Sequence, residues 1–396
     1  VQKKYASYQK FNTFGKLRSV MLGSYFYPEF FSSIKDATVR EPLMRMAKEI
    51  NEDLAEFNRV LLNFGCEVHR AEQPQGLFNS DDVYLPPLQV RNTHCVIGDT
   101  MYQFNKDFRH GINNVLQNYC ADIVNLEESN QKFYDSSMLS AAEDNFNYKT
   151  KTWYSKSKYQ ILHGGDWPQY KDYVQGARST IPTIIEEMGS FKEVLEYTQA
   201  NIGPMQGPNI INLKDRIVLG TNEYCNYAEW LATKINDSRP ISQFSIDACH
   251  IDGCFAVLGH NLILGIDPLI DYQHYFPGYT VVGVPPASYQ DRIKEFNIMR
   301  EKVGGAWWLA GEEHNHSLIS FVESHLRPWL GYVAESIFDV NVLALDENTI
   351  CVSNITPEVE SALKDHNIEC IVVPWRHRFF VDGGLHCITL DLHRDR

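Results

Sequence analysis

No segment of the chain holds the unbroken run of about eighteen apolar residues that a helix needs to cross a bilayer. The opening VQKKYASYQKF lacks the apolar centre of a secretory signal. No P-loop, GxGxxG or GxSxG occurs, which leaves nucleotide binding and serine hydrolysis without a motif. HExxH and paired Cys/His ligand sets are missing too, so neither a metal nor a cofactor is expected. Positive charge is in deficit: 36 Lys and Arg face 50 Asp and Glu, for a net charge of −14. That balance argues against a nucleic-acid partner, aids solubility, and mildly favours cationic small substrates by steering. Nine cysteines, an odd number without paired spacing, read as reduced thiols of a cytosol-like compartment, so a cytoplasmic protein with no membrane partner is expected.

The sequence does contain a recurring pattern of a short apolar strand, a tight polar turn and a second apolar strand. It occurs as THCVIGDTMYQF (93–104), NIINLKDRIVLG (209–220), CFAVLGHNLILG (254–265) and VNVLALDENTICVS (340–353). Gly98-Asp99, Lys214-Asp215, Gly259-His260-Asn261 and Asp346-Glu347-Asn348 are the turns, with residue types that suit short hairpin loops. Helical stretches lie between the hairpins. EPLMRMAKEINEDLAEFNRVLLNFG (41–65) spaces its apolar residues by three and four and ends on glycine, and TPEVESALKDHN (356–367) starts on a capping Thr356. The opening FGKLRSVMLGS and the closing GGLHCITLDL read as two halves of one such module, joined across the chain ends. At 396 residues the chain is either two domains or one large repetitive one, and modules around an axis are one reading of the pattern.

Three stretches then belong together: HID (250–252) before an apolar hairpin, NVLALDE (341–347), and GGLHCITLDLHR (383–394) near the end. In this order they resemble the amidinotransferases, such as glycine amidinotransferase, within the superfamily of guanidino-group-modifying enzymes. The resemblance implies an α/β fold, a five-bladed α/β propeller (pentein) with pseudo-fivefold symmetry and a central site. It covers most of the chain, so residues 1–396 are expected to form a single domain in which about 120–200 is divergent or inserted. It implies an arginine-like donor and an amine acceptor as substrates, and a homodimer, since the family is commonly dimeric.

The resemblance assigns Cys387 as nucleophile and His250 as general acid and base. The chemistry has its own logic. A guanidinium carbon is a poor electrophile because its charge is spread over three nitrogens, so a thiolate is needed to attack it. The leaving amine then needs a proton, which an imidazole supplies. Asp252, two residues after His250, is expected on the same face of a strand, where its carboxylate would take two parallel N–H bonds from the substrate. Gly383 and Gly384 would let substrate pass close to the backbone beside the thiol. Two positions depart from the family. Asn92 stands where an early carboxylate is expected, and Gln206, with Asn209 three residues on, stands where a second one is. The missing acid would come from Asp382, Asp99 or Asp166, or the substrate is altered, or turnover is lost. The amide at 92 also keeps an arginine hydrolase of dihydrolase or deiminase type open, as well as a non-catalytic homologue that binds guanidines or amines.

Other segments carry weaker readings. His163-Gly164-Gly165-Asp166 is either an active-site loop or ordinary turn chemistry. Glu312, Glu313, His314 and His316 read as a solvated helix start rather than metal ligands, and Trp307-Trp308 as packing. No counterpart of the family's carboxylate-gripping arginine follows the HID hairpin. Arg376 or Arg378 in PWRHRFF would have to take that role.

Overall fold

The computed structural model describes residues 7–80, 85–104, 110–116, 123–126, 146–147, 152–153, 206–221, 227–245, 250–266, 272–284, 307–326, 339–381 and 383–396. Most of 120–200, including His163–Asp166, lies outside these residues, as does Asp382.

Five units share one plan. The first contributes β1 (Leu17–Leu22), α1 (Ala37–Phe64) and β2 (Glu67–Arg70). The second has β3 (His94–Ile97), β4 (Thr100–Gln103), α2 (His110–Leu116) and β5 (Ile123–Asn125). A two-stranded ribbon, β6 (Phe146–Asn147) and β7 (Thr152–Trp153), follows. The third unit has β8 (Ile210–Asn212), β9 (Ile217–Thr221), α3 (Tyr227–Lys234) and β10 (Ile241–Ser245). The fourth has β11 (Phe255–Leu258), β12 (Leu262–Ile266), α4 (Tyr272–Tyr275) and β13 (Thr280–Val284). After α5 (His316–His325) the fifth has β14 (Leu343–Ala344), β15 (Thr349–Val352), α6 (Pro357–Asp365) and β16 (Glu369–Val372). The chain closes with α7 (Arg378–Val381) and β17 (Thr389–Arg394).

In units two to five the first two strands pair antiparallel, and the third, reached through a helix, joins parallel to the second. β17 pairs antiparallel with β1, which pairs parallel with β2, so the chain ends complete the first unit as the sequence implies. The result is an α/β fold with five separate three-stranded sheets among the described residues, none of them closed. Helical crossovers are what parallel pairing demands, while the antiparallel pairs need only short turns. At one such turn His260 and Asn261 both take positive φ, 59° and 53°.

Hydrogen bonds link each unit to the next. Arg91 Nε donates to Thr389 O (3.1 Å) between the first and second, and Asn212 Nδ2 to Val96 O (3.1 Å) between the second and third. Gln206 meets His250 between the third and fourth (2.9 Å), and Asn341 Nδ2 donates to Asp252 O (3.0 Å) between the fourth and fifth. Arg394 Nη2 donates to Ala344 O (2.7 Å), which returns the fifth to the first.

α1 shows why the sequence makes these elements. Asp36 caps it by accepting from Thr38 N, and Gly65 ends it at φ 94°, a conformation that glycine takes without strain. Val39, Leu43, Met46, Ile50, Leu54, Phe57 and Leu61 form one stripe, buried against β1, Trp375 and Phe380. A second apolar cluster lies between the fourth and fifth units, from Phe255, Leu264 and Val282 to Ile350 and Leu363.

Candidate active site

Equivalent turns carry the candidate site residues. Immediately before the first strand of units two to four stand the turns Val90–Asn92, Gly207–Asn209 and Ile251–Gly253. Residues 339–342 hold that place before β14, and 384–388 before β17. Repetition of one fold unit therefore puts Asn92, Gln206, His250, Asp252, Asn341, His386 and Cys387 at corresponding positions.

The Gly-Gly-Leu-His-Cys segment is not part of a strand, contrary to the alternation of its side chains. It forms the turn that leads into β17, and Cys387 is buried, with 7% of its surface exposed. Asn341 holds that turn. Its Oδ1 accepts from His386 N (2.9 Å) and Cys387 N (3.1 Å), and its Nδ2 donates to Cys387 Sγ (3.1 Å) and Asp252 O (3.0 Å). Gly384 is needed for this approach: a Cβ there would lie 2.5 Å from Asn341 Oδ1. The close neighbour of Gly384 is thus the asparagine side chain, whereas Gly383 faces Cys387 and Gln89.

His250 and Asp252 do not lie on a strand either. The intervening residues form a short 3₁₀ turn that sends the two side chains to different partners. His250 Nε2 lies 2.9 Å from Gln206 Oε1, so the imidazole donates there. Asp252 is buried, and its Oδ2 is 2.7 Å from His386 Nδ1. One carboxylate oxygen is therefore already engaged, which rules out a forked pairing with substrate unless His386 moves. Asp252 Oδ1 is also buried and has no hydrogen-bond partner among the described residues. Burial opposes the charge on Asp252, but His386 and His250 outweigh it and hold the carboxyl below its usual range. Burial, reinforced by Arg91, pushes the His386 pKa down to about 4. The pair is thus a carboxylate and a neutral imidazole whose Nδ1–H points at it.

The remaining predicted residues separate. Asn92 Nδ2 donates to Gln89 Oε1 (3.0 Å), Gln89 Nε2 donates to Val381 O (2.6 Å), and Asn92 Oδ1 is buried without a partner among the described residues. Asn209 Nδ2 donates to Gly220 O (3.1 Å), a contact within its own sheet. Asp99 is exposed at the tip of the β3–β4 hairpin, at the far end of the strand from the turn that bears Asn92, and is not a substitute acid there. Arg376 is not available to grip a substrate, because Asp53, Glu52 and Glu49 of α1 hold it. Arg378 bonds Trp375 O and stacks on Phe379. Glu312 pairs with Arg45, and Glu313 accepts from Trp308 and Gly311 N.

Sequence reasoning missed three contributors. Asn341 heads the NVLALDE run, in which only the apolar residues carry a strand pattern. Gln89 carries no motif. The third is a buried cluster behind the Cys387 turn: Asp391 meets Lys10 Nζ at 2.6 Å, Arg91 Nη2 at 3.1 Å and Arg394 Nε at 3.0 Å. Arg91 Nε also donates to His386 O (3.0 Å). The strand TLDLHR carries no signal of it, since alternation sets Asp391 with Thr389 and His393 opposite the leucines, and burial of both faces is decided by the fold.

This is the fold of the amidinotransferases. The inosamine-phosphate amidinotransferase of Streptomyces griseus is similar over 98% of this chain and 97% of its own, at 12% identity and a TM-score of 0.54. An amidinotransferase of the saxitoxin biosynthetic pathway from Microseira wollei is similar over 98% of both chains, at 16% identity and a TM-score of 0.55. The N-terminal domain of a cyanobacterial arginine dihydrolase bound to its substrate is more distant, at 9% identity over 95% of this chain and 98% of its own, with a TM-score of 0.46. No family model matches the chain, and no curated protein matches it.

Proposed function

We propose that the chain is an amidinotransferase that takes the amidino group of L-arginine or a similar guanidine onto Cys387 and passes it to an amine. The observation that carries this reading is that one side chain, Asn341, holds both the Cys387 sulfur and the backbone of Asp252, whose buried Oδ1 lacks a donor among the described residues. A buried, unpaired carboxylate oxygen is costly, and a cationic N–H donor removes that cost. Asn92 Oδ1 would accept a second N–H as a neutral substitute for the expected acid.

The Cys387 thiolate attacks the amidino carbon and a C–S bond forms. His250, oriented by Gln206, donates a proton to the leaving nitrogen as its C–N bond breaks, and ornithine departs. The amidino group stays on sulfur as a thiouronium. The incoming amine loses its proton to His250 as it attacks, and the C–S bond breaks to restore the thiolate. In this reading the five sheets are the blades of one propeller domain, and the protein acts in the cytoplasm as a homodimer.

Mass spectrometry of the protein after exposure to arginine tests the first half-reaction, with gain of one amidino group on the Cys387 peptide expected. Ornithine plus a new guanidino compound, formed only when glycine, lysine or another amine is present, tests the second. The amide at 92 supports hydrolysis as the second reading. Ornithine with ammonia or urea, independent of any amine, would establish that reading instead, and citrulline with ammonia would indicate a deiminase. No adduct with any guanidine or amidine would reject both.

A further inference from the structure

We infer that Asn341 is the positioning residue of the nucleophile: its side-chain amide sets the direction of the Cys387 sulfur and stabilises it as thiolate. The inference rests on the proposed role of Cys387 and extends it to Asn341, the first residue of the NVLALDE stretch, to which the sequence pattern assigns no role.

The geometry is unusually complete for one side chain. Both amide hydrogens and the carbonyl oxygen are in use, on four partners contributed by two other units of the fold. An amide has two donors and one acceptor oxygen, so no further capacity to donate remains. Asn341 is itself 1% exposed, which leaves it no water with which to exchange these bonds. One hydrogen on Asp252 O and two amides on Oδ1 fix the plane of the group. The second hydrogen is then aimed at Cys387 Sγ by constraint rather than by choice of rotamer. A donor held in this way favours the anionic sulfur over the protonated one.

Asn341 also couples two functions. The backbone it grips belongs to Asp252, whose free oxygen awaits the cation, and the sulfur it grips attacks that cation. A shift of the amide would change both distances together. The charged and titratable groups that face this turn are His386, Asp252, His250 and the Arg91–Asp391 cluster. Asn341 Nδ2 donates to the sulfur directly, at 3.1 Å.

Alkylation of Cys387 by iodoacetamide, followed by peptide mass spectrometry across pH, tests the inference in the full-length protein and in Asn341→Asp and Asn341→Ala. Asp keeps an acceptor for the two amides but presents an oxygen in place of Nδ2. The pH midpoint of alkylation is expected to rise by about one unit or more in Asn341→Asp, and by less in Asn341→Ala. Circular dichroism identifies any variant that fails to fold. Folded variants with the wild-type midpoint would overturn the inference.

A second arm needs no variant. With asparagine labelled by ¹⁵N, the Asn341 side-chain amide of the wild type is expected to titrate with the thiol. An amide signal that stays fixed while the thiol ionises would also overturn the inference. Transfer chemistry is read separately. Wild-type Cys387 that never takes up an amidino group, together with a shifted midpoint in Asn341→Asp, would reject the enzyme reading and leave the positioning role standing.

Discussion

Asp391→Asn is the most informative single perturbation of the framework behind the site. Asp391 is fully buried, and Lys10, Arg91 and Arg394 around it are each 1% exposed. One carboxylate thus faces three cationic side chains, and burial by itself would raise its pKa. The three cations reverse that and hold it well below the usual range. Asparagine keeps the shape and removes the charge, leaving three cations with no counter-charge in a dry interior. Breaking a buried ion pair from one side costs about 3–5 kcal/mol. With an unfolding entropy of about 2.1 cal/mol/K per residue, a chain of this length loses about 0.8 kcal/mol of stability per degree near its melting point. The expected drop in Tm is therefore about 4–6 °C. Lys10→Met is the matching control. Burial lowers the Lys10 pKa, against the pull of Asp391 and with the push of Arg91 and Arg394, so the cluster has cations in excess. Replacing that lysine with an apolar side chain of similar length should change stability by about 1 kcal/mol or less in either direction. Thermal melts and urea titrations of the two variants measure the asymmetry. Equal costs, or a cost below about 1 kcal/mol for Asp391→Asn, would refute the reasoning.

Gly384→Ala should cost about 1–3 kcal/mol and abolish amidino uptake, because its Cβ would displace a side chain held by four bonds; melting and adduct mass check both effects. Asp252→Asn should weaken binding of a guanidine by about 1.5–3 kcal/mol, and a calorimetric Kd within threefold of wild type would reject the role of its free oxygen. His386 makes stability depend on pH in a defined direction. The folded imidazole holds a proton only below about 4, against 6.5 when unfolded, so the unfolded chain binds more protons between those values. This contribution is complete above pH 6.5 and is lost on acidification toward 4, by about 2 kcal/mol between pH 7 and pH 5. Urea midpoints at the two pH values should therefore converge in His386→Gln. Asp36→Ala should lower the melting temperature through the lost cap of α1, with no effect on Cys387 chemistry.

Much of the architecture was legible because local physics writes it directly. Strand-turn-strand alternation announced four hairpins, a three-and-four spacing over 41–65 ending on Gly65 announced most of α1, which the structure starts earlier behind the Asp36 cap, and the split first unit followed from two unpaired half-hairpins at the chain termini. The resemblance then singled out Cys387, His250 and Asp252, which the structure carries on the turns before β17 and β11. What failed were inferences that extended a local period past its end. The GGLHC segment alternates like a strand, yet Asn341 and the turn before β17 claim its backbone. HID also looks extended, yet a 3₁₀ turn separates its imidazole from its carboxylate. Arg376 was a free cation in the sequence, and α1 surrounds it with carboxylates in the fold.

Periodicity, turn residues and caps act over a few neighbours, so the sequence by itself determined the hairpins, the helices and their repetition. Hydrogen-bond partnership across hundreds of residues follows no such period. Only the tertiary structure could decide that Asn341 would reach the sulfur, that His386 would occupy half of Asp252, and that Asp391 would gather three buried cations. Each of those facts depends on where separate units meet, and burial there gives a single polar contact its energetic weight.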